Sequence, residues 1–115
     1  MRVVNCHCDD CRRISGATYN TALAVGSEKF KITKGDSFIT EYESSPGKFR
    51  CFCKKCGSPV YTRMNFKPEM IIIRAGVLDD ATGIKPQAHI WVKAIAPWHQ
   101  ILDDLPQYPE AFGAK

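Results

Sequence analysis

β-branched and aromatic residues recur in short runs along this chain, and glycine, proline or serine closes most of them. That spacing predicts strands rather than helices. "ATYNTALAV" reads as a strand ending at Gly26-Ser27. "KFKITKGDSFITEYESSPG" reads as a hairpin: "FKIT", a turn at Lys34-Gly35-Asp36, then "SFITEYE". Ser44-Ser45-Pro46-Gly47 predicts the next turn. "KFRCF" and "SPVYTRM" read as two strands flanking a cysteine pair, "EMIIIRAGVL" as the most apolar and central strand, and "QAHIWVK" as another. Helical periodicity is scarce. "DDCRRIS" predicts one short helical turn, with Asp9 and Asp10 suited to its N-terminus. The tail, with Pro97, Pro106 and Pro109, predicts one short helical turn and otherwise a surface wrap. The fold class is mainly β, built of short strands.

A length of 115 residues sets one domain spanning 1–115. A chain this short buries a modest core, so cross-links through cysteine would help it. "MRVVNCHCDD" lacks the apolar run and cleavage site of a secretory signal, and "MIIIRAGVL" is interrupted by Arg74. The expected compartment is therefore the cytoplasm, where thiols stay reduced, with no membrane partner. Disulfides are the lesser alternative for the six cysteines. The net charge of +4 does not by itself argue for nucleic acid, and none is expected.

The cysteines change the picture most. They form two copies of Cys-x-Cys-x-x-Cys: Cys6, Cys8, Cys11 and Cys51, Cys53, Cys56. "CKKCGS" has the form of a zinc knuckle. Two thiolates separated by two residues can face one ion, and Gly57 permits the left-handed turn that follows. In "CHCDDC" the three thiols stand close enough to share one ion. Three protein ligands and an open position describe a catalytic zinc site, whereas structural sites are closed. Two alternatives stay open: a four-thiolate structural site taking one pair from each triplet, and a two-metal cluster with bridging sulfurs. His7 sits between two ligands, so its side chain is expected to point away from their ion. His89, in a strand, reads as a hydrogen-bonded residue before a ligand, and His99 is weaker still.

"CHCDDCRRISGA", "YESSPGKFR" and "FCKKCGSPVY", in this order, resemble the glutathione-dependent formaldehyde-activating enzyme family, and the likeness runs from about Val4 to "LPQYP". The resemblance implies a β-tent of short coiled antiparallel sheets around zinc. It implies a catalytic zinc at Cys6, Cys8 and Cys11, and Cys53 and Cys56 as half of a structural zinc site. The family's other half is a Cys-x-Cys in an upstream strand, which this sequence does not contain, so a shortened N-terminus is expected. Cys51 would then be a third ligand, and the second site would be incomplete or recruit an unusual partner.

The implied function is a carbon–sulfur lyase-type activity, adding glutathione or a related thiol to formaldehyde or another small carbonyl compound. Glutathione carries two carboxylates. Arg12, Arg13, Lys48 and Arg50 are the candidate cations to orient it, with Ser15, Ser44 and Ser45 as candidate hydroxyls. The rival class is a non-catalytic zinc module for a protein or nucleic-acid partner. The acids Asp9 and Asp10 between the first cysteines speak against nucleic acid. An exposed sheet edge would favour pairing with a second copy.

Overall fold

A computed structural model describes residues 1–115. It contains seven strands, one α-helix and four single 3-10 turns. The strands are β1 (Arg2–Cys6), β2 (Asn20–Gly26), β3 (Ile39–Ser45), β4 (Lys48–Cys53), β5 (Pro59–Met64), β6 (Met70–Arg74) and β7 (Ala88–Ile90). The helix, α1, is Asp9–Ser15. All seven strands join one sheet in the order β3-β4-β5-β6-β2-β1-β7, so the apolar β6 occupies the middle position, as its sequence predicts. The fold is mainly β. By internal contacts the chain divides into two compact units: Leu23–Ala81 with Met1, and Arg2–Ala22 with Thr82–Lys115.

In the Leu23–Ala81 unit β3, β4, β5 and β6 pair antiparallel in succession. β3 and β4 form a hairpin closed at Pro46-Gly47, with Tyr42 opposite Arg50 and Glu41 opposite Cys51. Gly47 turns with φ 75°, a conformation that a Cβ disfavours. β4 pairs with β5 and β5 with β6, and the β4–β5 register shifts between Cys51 and Phe52. The second cysteine motif straddles the end of β4: Cys51 and Cys53 lie in the strand and Cys56 in its connection to β5. Thr62 is fully buried and accepts a hydrogen bond from the Arg74 guanidinium. β3, at the sheet's edge, carries Glu41 and Glu43, charges that blunt an edge against further pairing.

One expected strand does not form. Residues 30–33, the "FKIT" run, lie outside every strand. β3 instead finds its partner across the Pro46-Gly47 turn, so the predicted Lys34-Gly35 hairpin gives way to a 3-10 turn at Asp36–Phe38.

The second unit departs from an all-antiparallel expectation. β1 and β7 run parallel, with Val4 opposite Ala88, Asn5 opposite His89 and Cys6 opposite Ile90. β1 is buried on both faces: Val3, Val4, Asn5 and Cys6 are all buried, with polar Asn5 accepting from Thr21 Oγ1. That reading fits a strand covered on both sides. The tail then covers β7: His89 N–H donates to Pro106 O at 2.8 Å and Tyr108 N–H donates to His89 O at 2.9 Å. From Ala96 onward the tail contains no helix, contrary to expectation; Pro106 O instead accepts from His89 of β7, and Pro109 O from the Lys93 N–H.

Candidate metal centre

The end of β1 and the start of α1 bring the first cysteine triplet together. Cys6 closes the strand, Cys8 is the N-cap of the helix and Cys11 lies in its first turn. The Cys8 Sγ accepts the Cys11 N–H at 3.3 Å, so a thiol does the work an Asp or Ser side chain usually does at this position. Asp9 and Asp10 fill the first turn of α1. Gly16, at φ 65°, ends the helix in the left-handed region.

The three sulfurs lie within 4.8 Å of one another, with Cys6 and Cys11 buried and Cys8 part-exposed. Zinc–sulfur bonds of about 2.3 Å at tetrahedral angles set sulfurs roughly 4 Å apart, so this donor set fits a single ion. The Cys6 thiol is held far above its ordinary range, first by hydrogen bonding to Cys11 and Cys8 and then by burial. Thiols packed this closely resist ionisation unless a cation joins them. No other three residues of ligand type converge in this way.

The second triplet is arranged differently. Cys53 and Cys56 flank a knuckle in which Gly57 N–H donates to Cys53 O at 2.6 Å and Cys53 N–H donates to Ser58 O at 2.9 Å. Gly57 sits at φ 81°, as the knuckle reading requires. The Cys53 thiol is lowered from its ordinary range by the backbone N–H groups of Cys56 and Lys55. Cys51 does not join this pair. It is buried at 1% exposure, and its Sγ lies 3.5 Å from a Glu41 carboxylate oxygen that also accepts from Arg63. Burial pushes the Cys51 thiol up to about 11. Along β4 Cys51 and Cys53 stand in regular register opposite Glu41 and Ile39 of β3, and the extra residue at the β4–β5 irregularity is Val60 of β5.

The four candidate cations divide between the two units. Arg12 and Arg13 lie on α1 beside Cys11. Arg12 donates to Asp9 Oδ1 at 2.6 Å, while its Nε is buried without a partner. Arg13 is exposed. Lys48 and Arg50 lie on β4, in the other unit. Arg50 is buried, and its Nε donates to Ser44 Oγ at 3.2 Å. Ser44 is thus a partner of Arg50, and Ser15 Oγ donates to Cys11 O at 2.6 Å inside the helix.

A cluster that residue spacing does not disclose centres on His7, the residue between Cys6 and Cys8. His7 is fully buried, and its Nε2 faces His89 Nδ1 at 2.8 Å. His89 Nε2 in turn lies 2.9 Å from Asp103 Oδ2. Tyr19 and His99 pack on the His7 ring, at centroid distances of 5.0 and 5.7 Å. Burial, then the neighbouring His89 and His99, lower His7 to about 4. As expected, His7 is not a member of the sulfur cluster, and His89 is hydrogen-bonded.

A mainly β sheet carrying one convergent three-thiol cluster defines a candidate metal-binding protein. The chain belongs to the glutathione-dependent formaldehyde-activating enzyme family, whose model matches residues 1–94. Membership suggests glutathione-dependent formaldehyde activation. Among solved structures, the chain is similar to the crystal structure of a Rhodobacter sphaeroides protein, with 21% identity and a TM-score of 0.57 over 91% of this chain and 79% of that one. That likeness concerns the fold. No curated protein matches the chain. No helix is long and apolar enough to cross a membrane.

Proposed function

We propose that the protein is a zinc-dependent carbon–sulfur lyase-type enzyme that joins glutathione, or a related thiol, to formaldehyde or another small carbonyl compound. The observation that carries this reading is the convergence of Cys6, Cys8 and Cys11 Sγ within 4.8 Å, in a chain of this family. In the reaction a carbon–sulfur bond forms between the thiol sulfur and the carbonyl carbon, and the thiol proton ends on the carbonyl oxygen. Cys6, Cys8 and Cys11 would hold the ion. When bound, it supplies a Lewis-acidic position beside three thiolates, where a further thiol loses its proton more readily.

The chain's own residues have separate tasks. Burial of Cys6 and Cys11 keeps water from two sides of the cluster, while part-exposed Cys8 leaves an approach. Asp9 engages Arg12 and so limits what that guanidinium offers a carboxylate, whereas Arg13 projects from α1 and is the better anchor for an acidic substrate. Buried Arg50 is better read as a brace for Ser44 than as a substrate contact.

The test is titration calorimetry of the zinc-loaded protein with glutathione. Binding that vanishes in a folded Cys11→Ala variant supports the reading. Absence of binding at millimolar glutathione overturns the thiol-addition activity, and a Cys11→Ala chain that cannot fold would make the site purely structural.

A further inference from the structure

The Asp103, His89 and His7 side chains form one continuous line of hydrogen-bonding groups. An ionised carboxylate only accepts, so the His89 nitrogen facing Asp103 carries the hydrogen. With a neutral ring, His89 Nδ1 is then a lone pair. It faces His7 Nε2 at 2.8 Å, so that nitrogen must donate. His7 Nδ1 is left as a lone pair, and it is indeed a buried nitrogen with no partner. The opposite assignment would set the His89 lone pair against the carboxylate. Each tautomer is therefore fixed by the next group along, beginning at Asp103.

His7 is also the residue between two of the clustered thiols. Its backbone N–H donates to Ile90 O at 3.0 Å, tying the same residue to β7. Tyr19 and His99 restrict the ring from other directions. Asp103 is anchored in turn by the Leu105 N–H, which donates to Oδ1 at 3.0 Å. His89 is 2% exposed and Asp103 45%, so the line runs from the surface inward to fully buried His7.

We propose that Asp103 and His89 are positioning residues for the cysteine triplet. They fix the His7 ring in one tautomer and orientation, and so hold the Cys6-His7-Cys8 backbone in the shape in which three thiols share one ion. The inference rests on the metal-binding reading given above, and the experiment separates the two. Outer groups that orient a metal site commonly change affinity by 10–100-fold when removed, and about tenfold is expected for one acting through two rings.

Long-range nitrogen–proton NMR on the full chain reads the tautomers, with and without zinc. Competition with a chelator reads zinc affinity. The unsubstituted chain should show the Nε2–H form at both His7 and His89. Asp103→Ala should mix the tautomers at both rings and weaken zinc about tenfold, with the fold checked by thermal melting. Asp103→Glu, which keeps a carboxylate, should recover a single tautomer and part of the affinity. If the alanine variant does not fold, Asp103→Glu is compared with Asp103→Gln, and only the former should keep both properties. Unchanged tautomers on losing the carboxylate overturn the proposal, as do mixed tautomers with unchanged zinc affinity or a glutamate variant no better than its neutral counterpart. Failure of the unsubstituted chain to bind zinc at Cys6, Cys8 and Cys11 overturns the metal reading itself, whatever the tautomers show.

Discussion

Cys8 caps the helix that carries Cys11: its Sγ accepts the Cys11 N–H at 3.3 Å. One thiol thus both shapes the turn and belongs to the cluster that the turn assembles. The two roles separate on substitution. Cys8→Ala should cost the metal-free protein about 1 kcal/mol by removing the cap. Cys8→Ser should retain most of that stability, because its hydroxyl can accept the same N–H. Both should lose high-affinity zinc binding. Urea unfolding and zinc stoichiometry check this, and a serine variant as unstable as alanine would refute the capping role.

The remaining thiols should react in a defined order. Cys51 is buried and pushed up to about 11, while Cys53 is lowered by backbone N–H groups and Cys56 is exposed. Alkylation proceeds through the thiolate. In the metal-free protein at pH 8, iodoacetamide followed by peptide mass mapping should label Cys53 and Cys56 early and Cys51 last. Early labelling of Cys51 in the folded chain would contradict its place beside Glu41.

Acid should destabilise the metal-free protein in a window set by His7. Its folded value of about 4 lies below the usual 6.5, so the unfolded chain binds more protons between those limits. Stability is full above pH 6.5 and falls as pH drops toward 4, by on the order of 3 kcal/mol for a shift of this size. Asp103, held below the usual carboxylate range chiefly by His89, adds a further loss at lower pH. Urea midpoints across pH 4–7 measure the slope. Persistence of the same slope in a folded His7→Gln chain would assign it elsewhere.

Gly57→Ala tests the knuckle. An added Cβ would meet nothing within 4 Å, so crowding is no obstacle, but φ is 81°. The left-handed conformation costs a non-glycine residue about 1–2 kcal/mol. A lowered melting temperature is expected, and an unchanged one would mean that the turn relaxes.

Local signals revealed the parts of this fold that are local. The Pro46-Gly47 turn, the β5 and β6 runs and the short helix at Asp9–Ser15 each have a signature within a few residues. The triplet at Cys6, Cys8 and Cys11 is legible for the same reason. "FKIT" misleads because its alternation suits a strand, while β3 takes β4 as its hairpin partner. The parallel pairing of β1 with β7 leaves no local mark, since no tight turn can join parallel neighbours. His7, His89 and Asp103 were hidden for that reason: the register places Asn5 opposite His89, and only then do the two rings meet. That Cys51 is buried with its Sγ beside Glu41 is likewise not encoded in residue spacing, because Glu41 comes from the neighbouring strand.

That same pairing sets a timetable for the protein's birth. The first thiols leave the ribosome about eighty residues before the strand that braces them, Ala88–Ile90, and its outer support reaches Tyr108. Contacts so distant in sequence form slowly, because a long loop must close before they are rewarded. Until β7 and the segment to Tyr108 have been made, Cys6, Cys8 and Cys11 belong to an unbraced segment, open to stray metals and oxidants. A nascent chain halted before β7 should therefore show these thiols fully reactive, and release of the finished chain should protect them.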